Sequence, residues 1–110
     1  MSTKIITAQD IDSLELVLKM MLWRDIHHTP ILNNNLDLVG LLTWTDVQKY
    51  LGDPKLSKQG ISDIMQKEVI TAHPDMLLEE AKNLMIEKDI GCLPVMKEER
   101  LIGIITSNDL

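Results

Sequence analysis

The chain has no phenylalanine, and its aromatic side chains are one tyrosine and two tryptophans. Its core must therefore be built from isoleucine, leucine, valine and the seven methionines. Cysteine is as scarce. Cys92 stands alone, so no disulfide forms within the chain, and a reducing, cytoplasmic setting is expected. Clustered Lys and Arg are missing too, and the formal net charge is −6. This excludes a basic nucleic-acid-binding face and attraction to an anionic membrane surface. It does not exclude one bound phosphate, because local donors decide that. No apolar run approaches the roughly 20 residues that span a bilayer. Met1-Ser2-Thr3-Lys4 is too short and too polar for a signal peptide. No nucleophile–base arrangement, phosphate-transfer loop or metal-ligand set is recognisable, so neither an enzyme nor a metal site is expected.

What is present is a repeat. Ile6-Thr7-Ala8 returns as Ile70-Thr71-Ala72, Leu14-Glu15 as Leu78-Glu79, and Asp25-Ile26 as Asp89-Ile90. Met21 returns as Met85 and Pro30 as Pro94. One residue then drops out, and Gly40-Leu41-Leu42-Thr43-Trp44-Thr45-Asp46 falls on Gly103-Ile104-Ile105-Thr106-Ser107-Asn108-Asp109. An internal repeat fixes architecture before any single element is assigned. At 110 residues, two copies that bury one another solve a problem that a lone copy of about 50 residues would face. The expected division is residues 1–51, a linker at 52–60, and residues 61–110.

Each copy reads as strand–helix–strand–strand–helix. In the first, Lys4–Ala8 is a β-branched strand. Leu14, Val17, Leu18, Met21 and Leu22 recur at helical spacing, so a helix covers about 13–24 behind an Asp12 or Ser13 cap. His28–Leu32 and Leu38–Leu42 form a hairpin across Asn33-Asn34-Asn35. Thr43 or Thr45 then caps a helix to about Leu51. In the second copy, Val69–Ala72 is a strand and Pro74-Asp75 opens a helix over Met76–Lys88. Leu93–Met96 and Leu101–Ile105 pair across Lys97–Arg100, and Ser107 or Asn108 begins a last helix. Ile61–Gln66 is a short helical lead-in to copy two, capped by Ser62 or Asp63. Copy one lacks a counterpart of that lead-in, and copy two lacks one for Asp46–Leu51. The chain is therefore expected to be a piece of a longer protein.

The repeated Gly-apolar-apolar-Thr-x-x-Asp carries the chemistry. A hydroxyl and a carboxylate follow a buried strand at a spacing that puts both on one face of a first helical turn. Free backbone N–H groups there favour an anion, and a carboxylate accepts from the vicinal hydroxyls of a ribose. These parts suit a nucleoside monophosphate. The competing reading is that Thr and Asp cap their own helix.

In order and spacing, these segments resemble a tandem pair of cystathionine-β-synthase (CBS) domains. The matching pieces are Ile5-Ile6-Thr7 and Val69-Ile70-Thr71, the two long helices, Pro30-Ile31 and Pro94-Val95, and the two Gly-x-x-Thr-x-x-Asp segments. Ile61-Ser62-Asp63-Ile64-Met65 resembles the family's lead-in to a copy. The resemblance implies an α+β fold of two β-α-β-β-α repeats packed as a pseudo-twofold pair. It implies a regulatory module for an adenosine-containing ligand such as AMP, ADP or ATP, controlling an attached domain and forming a homodimer. Carried over residue by residue, it assigns Thr43, Thr45 and Asp46 to one ligand, with Val69, Ile70, Thr71 and Leu93. It assigns Thr106, Asn108 and Asp109 to another, with Ile6, Thr7 and Thr29. His27 and His28 stand where some relatives carry His and Arg facing phosphate, so the Asp46 set is favoured. Binding there is expected to tighten as pH falls from about 8 to 6 and imidazole gains charge. A ligand-free dimerisation module is the alternative.

Three further residues are read from context. Cys92 beside an apolar strand is expected to be a buried hydrophobe rather than a reactive thiol. Trp44 lies inside the signature, where it either rims a ligand or packs on the neighbouring helix. Trp23 has no role assigned by the pattern.

Overall fold

A computed structural model describes residues 3–55 and 58–109. The chain divides into two compact units, Ile6–Val69 and Met1–Ile5 with Ile70–Leu110. The spatial division therefore differs from the sequence repeat, because the lead-in to copy two packs within the first unit.

In the first unit, β1 (Ala8–Gln9) lies parallel to β2 (His28–Leu32), and β3 (Leu38–Thr43) lies antiparallel to β2. Between β1 and β2 runs α1 (Leu14–Arg24). Ser13 starts it by accepting the Leu16 N–H on Oγ at 3.2 Å. Asp25 ends it in the left-handed region at φ 51°, its N–H donated to the Met21 carbonyl. Leu14, Val17, Leu18 and Met21 form the buried stripe. They pack with Ala8, Ile31, Leu42, Val47 and Ile61 in one core. The exposed Glu15–Lys19 pair at 3.3 Å adds little to stability.

The expected strand over Lys4–Ala8 shrinks to two residues. Only Ala8 and Gln9 find partners, Ile31 and Leu32, and a strand exists only where a ladder does. The helix expected to reach Leu51 is also shorter. It runs as α2 (Trp44–Val47) and tightens into a 3-10 turn at Gln48–Tyr50. The lead-in segment makes a 3-10 turn only at Ile61–Asp63. Gly60 holds its N-cap position without a side-chain bond, so neither Ser62 nor Asp63 caps it. Ser62 Oγ instead donates to the Asp10 carbonyl at 3.2 Å. The chain then straightens, and Gln66 exchanges two 2.9 Å backbone bonds with Leu41. Gly40 permits this approach: a Cβ there would collide with Met65 Sδ and stand 2.8 Å from its Cγ.

The second unit repeats the plan with a smaller core of Ala72, Ala81, Met85, Leu93 and Val95. Its helix α3 (Leu78–Lys88) starts two residues later than expected. Leu77 is extended, and its N–H donates to the Glu80 carboxylate at 3.3 Å. Asp89 closes α3 at φ 53°, as Asp25 closes α1. β4 (Cys92–Lys97) and β5 (Arg100–Thr106) pair across Glu98-Glu99, both left-handed at φ 51° and 66°. Hairpins of that twist usually use Asn-Gly. In place of the expected strand at Val69–Ala72, only Ala72 makes a bridge, parallel to Val95. A 3-10 turn at Ser107–Asp109 stands where the last helix was expected to begin. Among the described residues, no helix is long and apolar enough to cross a membrane.

Candidate ligand site

The first signature sits at the junction of β3 and α2. Thr43 is extended and caps α2, its Oγ1 accepting the Asp46 N–H at 3.4 Å. The same hydroxyl donates to Asp46 Oδ2 at 2.8 Å. Gln66 Nε2 donates to that oxygen as well, at 3.0 Å. Two donors thus converge on Oδ2. Among the described residues no donor is recorded on Oδ1. Gln66 was not legible from the motif, because it comes from a segment with no sequence signal linking it to Asp46.

His28 stands directly opposite Thr43 across the ladder. Opposed side chains on one sheet face lie within about 5.5 Å at Cβ, so His28, Thr43 and Asp46 form one group. His27 is more exposed, with Nε2 4.0 Å from Asp25 Oδ1, while its carbonyl accepts the Trp44 N–H at 2.8 Å. Two first-turn amides of α2 are therefore already engaged, at Trp44 and Asp46. A helix of four residues also has little dipole, so the helix start offers little of the anion attraction expected of it. Trp44 is half-buried and packs against the first core, and Thr45 is exposed. Trp23 is 82 % exposed.

Burial holds the His28 pKa below its ordinary value, and the neighbouring His27 adds to the effect. The expected tightening between pH 8 and 6 therefore cannot rest on His28, which charges at lower pH than a free imidazole. Its stability effect has a definite sign. The folded pKa lies below the unfolded value of about 6.5, so protons favour the unfolded chain. This contribution is complete above about pH 6.5 and is lost as pH falls toward the folded pKa. The melting temperature should drop over that range, and His28→Gln should flatten the drop. A native profile flat from pH 7 to 5 would contradict the burial of this imidazole.

Thr29 follows in β2 and is fully buried, and its Oγ1 has no hydrogen-bond partner among the described residues. A buried hydroxyl without a partner costs stability. Thr29→Val should therefore raise unfolding free energy by about 1 kcal/mol in urea titration. A loss of that size would mean that the hydroxyl is partnered in solution.

The second signature is built differently. Asp109 Oδ2 accepts the Thr106 backbone N–H at 2.8 Å, and Ser107 donates its N–H to the Gly91 carbonyl at 3.3 Å. Asp109 here bonds a main-chain amide, where Asp46 bonds side chains. Cys92 faces Thr106 in the position that His28 holds opposite Thr43. It is buried, and burial pushes its thiol up to about 12, so it stays protonated. Asn108 is exposed, and Leu93 is fully buried in the second core. Ile70 is half-buried and Thr71 exposed in the second unit, while Ile6 and Thr7 are half-buried in the first. Each expected ligand set therefore draws residues from both units.

The CBS domain family model matches residues 1–53 and 61–110. The chain belongs to the CBS-domain family. Its fold matches the crystallised CBS domain pair of protein MJ0100, solved with 5′-methylthioadenosine and S-adenosyl-L-methionine. That match has a TM-score of 0.87 and 34 % identity, over 98 % of this chain and 86 % of the other. The CBS pair is also 37 % identical to a homoserine O-acetyltransferase of Methanohalobium evestigatum, over 89 % of this chain and 20 % of the relative. An inosine-5′-monophosphate dehydrogenase of Methanocaldococcus jannaschii shares 35 % identity, over 96 % of this chain and 21 % of its own. This chain thus spans about a fifth of the length of both relatives.

Proposed function

We infer that this CBS pair is a regulatory module that binds an adenosine-containing ligand and controls a domain attached to it or associated with it. The observation that carries the reading is the open Oδ1 of Asp46, beside Thr43 and His28. An acceptor held from behind by Thr43 and Gln66 is pre-oriented for a ribose hydroxyl. A similar CBS pair solved with two adenosine derivatives supports the ligand class. Attachment to a larger protein is supported by relatives that are several times longer. In this reading Asp46 meets the ribose and Thr43, Thr45, His27 and His28 lie toward phosphate. The repeat boundaries 1–51 and 61–110 remain the functional division, and catalysis belongs to the attached domain. Calorimetric titration of the full chain with AMP, ADP, ATP, NAD and S-adenosylmethionine tests the reading. Saturable heat with at least one is expected, and no heat with any at millimolar concentration would sink it.

The second reading, a ligand-free dimerisation module, is favoured by one feature of the site. Thr43 and Asp46 already bond each other in a capping geometry. Both readings include a homodimer, supported by exposed apolar side chains on α1 and α3. Leu16, Leu22 and Trp23 are 45 %, 56 % and 82 % exposed, and Ile86 is 68 % exposed. Light scattering at tens of micromolar should give the mass of two chains, and a monomer mass would refute the dimer.

A further inference from the structure

The side chains that the ligand reading places at the phosphate end carry no fixed positive charge. Thr43 Oγ1 donates to Asp46 Oδ2 at 2.8 Å and accepts the Asp46 N–H at 3.4 Å. What it has left is one lone pair, which accepts from a hydroxyl and repels a phosphate oxygen. The Trp44 N–H, also at the start of α2, donates to the His27 carbonyl. His28 stands opposite Thr43 and stays neutral above about pH 6.5, because burial, and then the neighbouring His27, lower its pKa. His27 Nε2 lies 4.0 Å from Asp25 Oδ1, so a proton it takes up is matched by that carboxylate.

The fixed cations nearest to these residues in the chain are engaged elsewhere or stand in solvent. Lys49 Nζ lies 5.5 Å from the Tyr50 ring centroid. Arg24 ends α1 and is exposed. Lys67, next to Gln66, is exposed and makes no ion pair among the described residues. A phosphate monoester carries close to two negative charges at neutral pH. Placed here it would meet the Asp46 carboxylate, a neutral imidazole and a lone pair. It would give up hydration without gaining a charge-assisted bond. An uncharged group loses little by the same move.

We propose that the Asp46 site takes an adenosine whose 5′ substituent has no negative charge, either a free hydroxyl or a small apolar group, and discriminates against AMP, ADP and ATP. The ribose hydroxyls meet Asp46, and the 5′ group lies against Thr43 and the imidazole of His28. This rests on the ligand reading above and narrows it. A carboxylate already held by Thr43 and Gln66 serves a ribose equally well in every adenosine compound, so the discrimination falls on the 5′ end alone.

The test compares compounds matched in base and ribose. The full chain is titrated at about pH 7.5, where AMP is nearly all dianion, with adenosine, 5′-deoxyadenosine and AMP. The Thr43 methyl and His28 imidazole resonances report binding at this site, and their titration gives Kd. Adenosine or 5′-deoxyadenosine should bind at least about tenfold more tightly than AMP. His28→Arg sets a fixed cation opposite Thr43, and should move the ratio of AMP to adenosine affinity about tenfold or more toward AMP, read from the Thr43 methyl. The comparison in the native chain stands by itself if that variant fails to fold. AMP binding to the native chain as tightly as adenosine, or more tightly, would overturn the proposal while leaving the ligand reading in place. Lys67→Gln would then show whether Lys67 is the cation responsible. No shift at Thr43 or His28 with any of the three would overturn the ligand reading itself, and this preference with it.

Discussion

Ile61→Ala should cost the first unit about 2–5 kcal/mol, the range for truncating a fully buried isoleucine. The side chain is fully buried, and its cluster includes Leu14, Ile31 and Leu42 from three different elements. Removing it loses its transfer free energy and leaves a void that strands on one side and a helix on the other cannot easily close. The backbone around it is also tied at Gln59, Gly60 and Ser62, so the segment cannot simply slide to fill the gap. Urea unfolding followed by circular dichroism reads the effect. Ile64→Ala is the internal comparison, because Ile64 is only partly buried and should lose less. A loss below about 1 kcal/mol for Ile61→Ala would mean that the segment detaches in solution.

That prediction depends on a placement that sequence could not supply. Ile61 was legible as an apolar residue of a lead-in segment. Which unit it would bury against was not legible, because burial of a 3-10 turn depends on the neighbour it meets. Helix α1 and the β2–β3 hairpin were legible because their signals are local. Leu14, Val17, Leu18 and Met21 follow the helical period, and Asn33 bonds the amides of its own turn at Asn35 and Asp37. β1 was over-extended for the opposite reason. Ile5 and Ile6 suit a strand, but pairing is a tertiary property and only Ala8 and Gln9 have partners.

The same contrast runs through the site. Thr43, His28 and Asp46 were all named from pattern, and the ladder pairing of His28 with Thr43 draws them together. The pattern could not show that Asp46 is held by Gln66, nor that Asp109 turns to a backbone amide instead. It also gave no sign that Thr29 is buried without a partner among the described residues. Those are outcomes of packing, and they decide which of two similar motifs presents an acceptor outward.

Asp46→Ala should weaken binding of the adenosine ligand by about 1.5–3 kcal/mol, or roughly tenfold to a hundredfold in Kd. The carboxylate presents Oδ1 for a charge-assisted bond while Oδ2 is fixed by Thr43 and Gln66, so little ordering is left to be done on binding. Asp109→Ala should cost less, because Asp109 already bonds the Thr106 amide, and Cys92 rather than an imidazole stands opposite Thr106. Both variants also lose carboxylate hydrogen bonds, from Thr43 and Gln66 at Asp46 and from the Thr106 amide at Asp109, worth about 1 kcal/mol of stability. Stability and affinity must therefore be read separately. Asp46→Asn separates them, since an amide oxygen can still accept from Thr43 and Gln66 but the charge is gone. It should keep most of the melting temperature while losing part of the affinity. If Asp46→Ala instead lowers the melting temperature and leaves ligand affinity unchanged, the Thr–Asp pair is a helix cap and nothing more, and the ligand must be held elsewhere.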